Sequence, residues 1–108
     1  MKELVIIIKP EHIQTLKQIL TGDRVYGMTV SSVMGCGSQK AAKGAEVVVN
    51  FMPRIRVETV VADAAVEGIV EQVREKLSTG TPGDGVIFVR GVDEAIRIRN
   101  GERGEKVL

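Results

Sequence analysis

The sequence has few of the residues that carry special chemistry. It has one cysteine, which excludes an intrachain disulfide. It has one histidine and no tryptophan. It also shows no Ser-His-Asp set, no metal-spaced His/Cys cluster and no close acidic pair in a cleft-like context, so an enzyme has little support. The formal net charge of +1 argues against a dedicated nucleic-acid-binding protein.

Long apolar runs are also missing. The longest run, residues 4–8, is far too short to cross a bilayer. Lys2 and Glu3 lead directly into it, so no signal peptide is recognisable and we expect a cytoplasmic protein. A chain of 108 residues predicts one domain, whose modest core would gain stability from oligomerisation.

Apolar spacing predicts four strands and two helices. Alternation or short β-branched runs indicate the strands, and the positions Val66, Ile69, Val70, Val73 and Leu77 give the strongest helical signal. Asp63 is the candidate N-cap of that second helix. The predicted strands cover residues 1–9, 25–35, 46–61 and 86–89, and the predicted helices cover residues 10–22 and 63–77.

Several irregular features interrupt this pattern. Residues 35–44 have no apolar periodicity and predict an exposed, mobile loop between two strands of a hairpin. Pro53 predicts a brief break in the third strand, residues 95–99 alternate again, and residues 100–108 predict a loose C-terminal loop. The order β-α-β-β-α-β indicates a ferredoxin-like α+β fold, with an antiparallel sheet and two helices on one face.

The glycine-rich stretch 78–89 admits two interpretations. Its glycines allow a ligand to approach the backbone, and exposed N–H groups there form an anion site. The simpler interpretation is a tight helix-to-strand connection in which Gly80 ends the helix and Pro82 prevents its continuation.

Two arginine pairs also have alternative interpretations. Arg97 and Arg99 are two residues apart on an expected strand, which would place both guanidinium groups on one side, about 7 Å apart. Paired guanidinium groups suit phosphate or carboxylate, although a solvated strand face explains the pattern equally well. Arg54 and Arg56 repeat the pattern.

The chain resembles the PII signal-transduction family, the nitrogen regulatory protein PII-like proteins. The resemblance runs through the whole chain in order, with matching element spacing. The matching segments are I-I-K-P (7–10), G-M-T-V (27–30), G-C-G-S-Q-K (35–40), K-G-A-E (43–46), F-M-P-R (51–54), T-G-T-P-G-D-G-V-I-F-V (79–89) and A-I-R-I-R-N-G-E-R-G (95–104).

The resemblance implies a single domain, residues 1–108, that forms a homotrimer. It implies a T-loop at about 37–50 that touches a protein partner, a Gly-rich B-loop at about 78–86 and a C-terminal loop at about 100–108. The implied ligands are ATP, ADP or AMP in clefts between subunits, with Mg²⁺ and 2-oxoglutarate as further candidates and no permanently bound cofactor. The implied partner is a membrane transporter or a cytosolic enzyme.

The resemblance also assigns residues to that cleft. Thr29 and the backbone around Gly35 would form one side, and Arg97 and Arg99 would reach the phosphates from the adjoining subunit. Gln39, Lys40 and Arg54 would bind the effector, and Gln39 would bind a metal only through a bound nucleotide or 2-oxoglutarate. The full nucleotide set is Thr29, Gly35, Cys36, Gly37, Ser38, Gln39, Arg54, Gly83, Asp84, Gly85, Val86, Arg97 and Arg99.

This chain departs from the family pattern at several of these positions. Val86 stands where a Lys or Arg is usual and Ser38 where many members have arginine, so we expect a weak or reversed preference for ATP over ADP. The T-loop is about four residues shorter than usual. Val47 and Ala45 occupy positions where some members are covalently modified, and Cys36 is interpreted as a small loop residue.

Three hypotheses about function therefore stay open. The first is a regulator that senses adenine nucleotides and controls a transporter or enzyme in nitrogen metabolism through its T-loop. The second is a divergent sensor of bicarbonate, another anion or a metal, with ADP or AMP in place of ATP and 2-oxoglutarate. The third is a structural or enzymatic ferredoxin-like domain.

Overall fold

The computed structural model of the chain describes residues 1–40 and 46–108. Four strands and two helices form in the predicted order. They are β1 (Lys2–Ile8), α1 (Ile13–Gly22), β2 (Thr29–Lys40), β3 (Glu46–Val61), α2 (Val66–Leu77) and β4 (Val86–Gly91).

The strands form one antiparallel sheet in the order β2-β3-β1-β4. The register places Leu4 of β1 between Thr59 of β3 and Val89 of β4. Both helices pack on the same side of this sheet, because the residues of α1 and α2 that are buried belong to the same core cluster as alternate residues of β1 and β3. The predicted ferredoxin-like α+β fold is confirmed.

The core lies between the helices and one face of the sheet, and it is aliphatic. Each Leu or Ile buried there contributes roughly 1.5–3 kcal/mol by leaving water. Thr59, the one buried polar residue of the described core, donates its hydroxyl to the Gly27 carbonyl at 2.6 Å. The buried core side chains are Leu4, Ile6, Ile8, Leu16, Ile19, Leu20, Val57, Val61, Val66, Ile69, Val73 and Leu77.

The other side of the sheet, which we call the open face, carries no helix in the described part of the chain. Side chains alternate along a strand, so Val5 and Ile7 lie on the open face between the core residues of β1. Val5 is 2% exposed, and its cross-strand neighbours are Glu58 and Phe88. Phe88 itself is 48% exposed, so apolar surface remains on this face of a single chain.

The β2–β3 hairpin differs from its prediction. β2 begins at Thr29 rather than at residue 25, because the Val25 amide donates to Leu20 at the end of α1. Residues 35–40 continue β2, paired with β3, so the expectation of a loop there is wrong; residues 41–44 lie outside the described residues. The physical reason is that β3 supplies backbone hydrogen-bond partners for residues 35–40. The local sequence pattern does not show this pairing.

Two other local predictions, the break at Pro53 and the N-cap at Asp63, are wrong. β3 runs through Pro53 without a break, because β1 ends opposite Ile55 and leaves one side of β3 unpaired at the proline. Asp63 does not cap α2: it lies in a short 3-10 turn, with Ala65 at the N-cap position. The Asp63 Oδ1 instead lies 2.9 Å from the amino nitrogen of Met1.

Residues 95–99 do not form the expected strand. Only Ile96 pairs, in an isolated bridge with Arg103, and residues 98–100 form a turn. The Gly101 amide donates to the Arg97 carbonyl at 2.8 Å and closes this turn. No helix in the described part of the chain is both long and apolar enough to cross a membrane.

Candidate functional site

A cavity of about 360 Å³ lies at the end of the open face where β1 stops. Three separate segments meet there: the middle of β2, the middle of β3 and the connection from α2 to β4. We call it the phosphate-side cavity, after the ligand group that the family resemblance implies for the nucleotide site. Its lining residues are Ile7, Gly35, Cys36, Gly37, Met52, Arg54, Pro82, Gly83, Gly85 and Val86.

A bulge in the hairpin shapes one wall of this cavity. Gly35 pairs with Met52 and Gly37 with Val49, so Cys36 opposes two residues of β3 and the register shifts. A bulge of this kind bends a strand and redirects its side chains. The wall therefore presents glycine backbone to the cavity, and a side chain at Gly35 would press against Arg54 Cγ, 3.1 Å from the added Cβ.

The opposite wall depends on two glycines of the α2–β4 connection. Gly85 has φ +117, and a Cβ there would overlap the carbonyl oxygen of Ile7. Only glycine combines this dihedral angle with such a close approach. At Gly83 an added Cβ would lie 3.3 Å from Lys9 Cε and 3.6 Å from Arg54 Nη2, so Gly83 leaves open the space beside two cationic side chains.

Two cationic side chains lie at the phosphate-side cavity: Arg54 lines it, and Lys9 lies next to its lining residue Gly83. The ends of both side chains lie beside Gly83, and neither forms an ion pair with any carboxylate whose side chain the structure describes. Arg54 Nη1 donates to the Pro53 carbonyl at 2.8 Å, which leaves other guanidinium donors for a ligand. Arg56, by contrast, has its Nε 3.1 Å from Glu58. The cavity therefore suits an anion.

Asp84 holds the α2–β4 connection in shape. One carboxylate oxygen accepts from the amides of Thr79 at 2.7 Å and Gly80 at 2.9 Å, and the other accepts from the Thr79 and Thr81 hydroxyls. These hydrogen bonds, that from the Thr79 hydroxyl first, hold the pKa of the Asp84 carboxyl well below its usual range. Asp84 stabilises the loop from within, whereas Val86, 43% exposed, lines the cavity.

Thr29 lies in a different cavity, of about 660 Å³. It is six residues from Gly35 on the same strand, or about 20 Å at the usual rise of a strand. Tyr26, Val60 and Leu108 line this second cavity with it. A single copy of the chain therefore does not bring Thr29 together with the cations of the phosphate-side cavity.

Arg97 and Arg99 also lie apart from the phosphate-side cavity. Arg97 Nη1 donates to Glu102 at 3.0 Å and Nη2 to the Lys106 carbonyl at 3.2 Å. Arg99 is exposed on the turn that follows. The expected side-by-side placement on a strand is wrong, because the chain turns between residues 97 and 101.

The remaining predicted residues lie on the outer part of β2. The backbones of Ser38, Gln39 and Lys40 pair with Val48, Val47 and Glu46. Their side chains are outside what the structure describes, so their predicted contacts with a nucleotide, an effector or a metal stay predictions.

Lys9 is the main site residue that the motif comparison did not single out. It directly follows β1 and precedes Pro10, and the strand's end places it beside Gly83. The sequence did contain a signal for Lys9, because a charged residue that directly follows a buried strand lies where the strand leaves the core. Its partner Arg54 comes from a segment far along the chain, and only the fold brings the two together.

Comparisons with known proteins agree with this fold. A family model described as "Nitrogen regulatory protein P-II" matches residues 1–102. Two proteins called "Nitrogen regulatory protein P-II", from Mesorhizobium japonicum and Rhodospirillum rubrum, are 43% and 44% identical to this chain over 96% of both lengths. The solved structure of B. subtilis GlnK is 36% identical with a TM-score of 0.82, covering 99% of this chain and 97% of that one. A B. subtilis GlnK-ATP complex is 38% identical with a TM-score of 0.84, covering 99% and 94%.

Proposed function

Because this chain belongs to the nitrogen regulatory protein P-II family, we propose that it binds adenine nucleotides between subunits and signals their presence to a protein partner. As a member of this family it is a regulator and not an enzyme. The observation that carries the nucleotide proposal is the pair of cations, Lys9 and Arg54, beside the open space at Gly83. The solved relative that holds ATP supports the choice of ligand.

The division of the predicted residues between separate places supports a site shared by two copies. Gly35, Arg54 and Gly83 meet in the phosphate-side cavity, while Thr29 lines the second cavity. Arg97 lies on the C-terminal segment, by which we mean residues 94–108. A cleft between neighbouring copies in a closed ring would unite these groups, since a heterologous contact presents different surfaces to each other. We therefore place the phosphates beside Lys9 and Arg54 of one subunit, with Arg97 and Arg99 approaching from the next.

Binding would influence the partner through the β2–β3 hairpin. Gly35–Gly37 line the phosphate-side cavity and belong to β2, which continues to Lys40 and pairs with β3 along this length. A ligand that binds better to one arrangement of the bulge shifts the population of hairpin conformations. The regulated protein would be a membrane transporter or a cytosolic enzyme that contacts residues 37–50.

Calorimetry with ATP, ADP and AMP, each with and without Mg²⁺ and 2-oxoglutarate, tests the proposal. Gly83→Ala fills the space beside Lys9 and should weaken ATP binding by roughly tenfold, about 1.4 kcal/mol. Gly68→Ala on α2, where an added Cβ meets nothing within 4 Å, is the matched control and should bind as wild type. No binding by wild type, or equal binding by both variants, would contradict the proposed site.

A second variant tests the expected weak preference for ATP. Val86 lines the phosphate-side cavity, so Val86→Lys should add a charge-assisted contact. Such a contact is worth roughly 1.5–3 kcal/mol, or about ten- to a hundredfold in affinity. The gain should be larger for ATP than for AMP, and an equal gain would show that residue 86 does not face the phosphates.

The two cations also favour a second candidate, a sensor of another anion such as bicarbonate. Lys9 and Arg54 would bind any small anion that reaches Gly83, whether or not a nucleotide is present. The metal form of this hypothesis has less support, because the described residues contain no group of three His, Cys, Asp or Glu side chains arranged to hold an ion. Titration with bicarbonate, in the absence and presence of ADP, distinguishes this candidate from a nucleotide sensor.

A further inference from the structure

The C-terminal segment folds around one carboxylate, that of Glu102. The segment turns back on itself: the Arg97 amide donates to the Glu102 carbonyl at 2.8 Å and the Gly104 amide to the Ala95 carbonyl at 3.0 Å. The two carboxylate oxygens of Glu102 accept hydrogen bonds from different residues. Oε2 accepts from Arg97 Nη1 at 3.0 Å, and Oε1 accepts from Asn100 Nδ2 at 2.7 Å.

This arrangement holds the negative charge of Glu102 next to Arg97, an arginine that the proposed function assigns to phosphate binding. The side chains of Arg97 and Glu102 are 29% and 38% exposed, so the pair is partly screened by water. Arg97 Nη2 also donates to the Lys106 carbonyl. Two of its five N–H donors are thus occupied within the segment, and three are left for an incoming anion.

We propose that Glu102 is a specificity-determining residue, whose carboxylate weakens the binding of polyphosphate chains by partly neutralising Arg97. The inference rests on the proposed nucleotide site. Each phosphate beyond the first brings more negative charge towards Arg97 and therefore towards Glu102, so the repulsion grows with the length of the chain. Glu102 thereby narrows the difference in affinity between ATP and AMP.

The size of the effect follows from the exposure of the pair. A partly exposed ion pair contributes little, so Arg97 turns towards phosphate at a modest cost. Removing the charge of Glu102 while keeping an oxygen to accept from Arg97 should therefore tighten ATP binding by roughly two- to fivefold. ADP should gain less, and AMP should gain least.

The experiment compares Glu102→Gln with wild type by calorimetry at low salt, using ATP, ADP, AMP and inorganic tripolyphosphate. The matched control is Glu94→Gln. Glu94 forms the other Glu–Arg pair of the same segment, with Arg103 at 2.6 Å, so this variant removes an equal charge without touching Arg97. Glu94→Gln should leave all four affinities unchanged, and the gain in Glu102→Gln should shrink at high salt, where charges are screened over a shorter distance.

Glu102→Ala and Arg97→Ala separate the possible outcomes. If Glu102 only orients Arg97, Glu102→Ala weakens ATP binding and Glu102→Gln does not improve it, which overturns the inference. If Arg97→Ala abolishes ATP binding while Glu102→Gln tightens all ligands equally or none, the proposed site stands and the inference fails. If neither wild type nor Glu102→Gln binds ATP or tripolyphosphate, both are wrong.

Discussion

At the residue scale, Gly85 and Asp84 hold the wall of the phosphate-side cavity by different means. Gly85 lets the α2–β4 connection lie directly on the backbone of β1, at Ile7. The Asp84 carboxylate accepts hydrogen bonds from the amides of Thr79, Gly80 and Thr81 and from the hydroxyls of the two threonines. Neither residue needs to touch a ligand to matter, because together they determine the positions of Gly83 and Val86.

Gly85→Ala should destabilise the fold. The new methyl group would overlap the Ile7 carbonyl. Residue 85 would also keep a φ of +117, which residues with a side chain rarely adopt. Strain of this kind costs roughly 1–3 kcal/mol. Urea denaturation at fixed protein concentration measures it, with Gly68→Ala as the control, which should leave α2 unchanged or slightly more stable. A Gly85→Ala midpoint equal to that of wild type would contradict the described packing.

Asp84→Asn should remove a stabilisation that depends on pH. The folded-state pKa of Asp84 is lowered, so its contribution is fully present above its unfolded pKa of about 3.9 and is lost as pH falls towards the folded value. The difference in melting temperature between wild type and Asp84→Asn should thus be largest near neutral pH and shrink below about pH 4. Calorimetric melting from pH 7 to pH 2.5 measures this difference. A constant difference, or one equal to that of the exposed control Asp93→Asn, would show that the carboxylate charge is not involved.

At the scale of elements, the β2–β3 hairpin is the part that changes most between prediction and structure. β3 has neighbours on both sides only from Ile55 to Glu58, where both β1 and β2 pair with it. From Glu46 to Arg54 its only neighbour in the described sheet is β2. A two-stranded ribbon is marginally stable by itself, so ordering by a ligand or partner would have a large effect there.

Hydrogen exchange should show this gradient. Amides at residues 37–40 and 46–50 should exchange faster than those of β1. Each of these hairpin segments has one neighbouring strand, whereas β1 has a neighbouring strand on both sides. Binding of ATP or ADP beside Gly35–Gly37 should slow their exchange, while the amides of α1 should change little and serve as the internal control. Exchange that no nucleotide alters would contradict the proposed switch, even if a nucleotide binds.

At the scale of the whole molecule, the open face is the surface that a trimer would bury. Val5 is 2% exposed although no helix of the described residues covers it, and Val86 and Phe88 beside it are 43% and 48% exposed. A chain with apolar side chains on an uncovered face gains stability by burying them. The trimer implied by the family resemblance would cover this face with two further copies.

Light scattering should give a mass about three times that of one chain at micromolar concentration. Phe88→Ser should shift the mass towards the monomer, because it replaces apolar surface on the open face with a hydroxyl. Phe51→Ser on the hairpin, where Phe51 is 67% exposed, is the matched control and should leave the mass unchanged. A monomeric wild type would remove the proposed shared nucleotide site together with the trimer.

The secondary structure of the core was predictable from the sequence alone, whereas the stretch 78–89 could be interpreted either as an anion site or as a plain helix-to-strand connection. β1, α1, α2 and β4 were predictable because their apolar spacing gives the buried face of each element. The motifs also pointed to Gly35, Arg54 and Gly83, which the structure brings together in one cavity.

Three features could be found only in the folded structure: the extension of β2 to Lys40, the turn at residues 97–101 and the position of Lys9 beside Arg54. Residues 35–40 have no apolar period, and their strand exists because β3 pairs with them. The alternation at 95–99 indicated a strand. In the structure a backbone hydrogen bond from Gly101 to Arg97 closes a turn there, and the Glu102 carboxylate accepts a hydrogen bond from the Arg97 side chain. These features depend on contacts between distant segments, and a local pattern of residues carries no information about which partner the fold will supply.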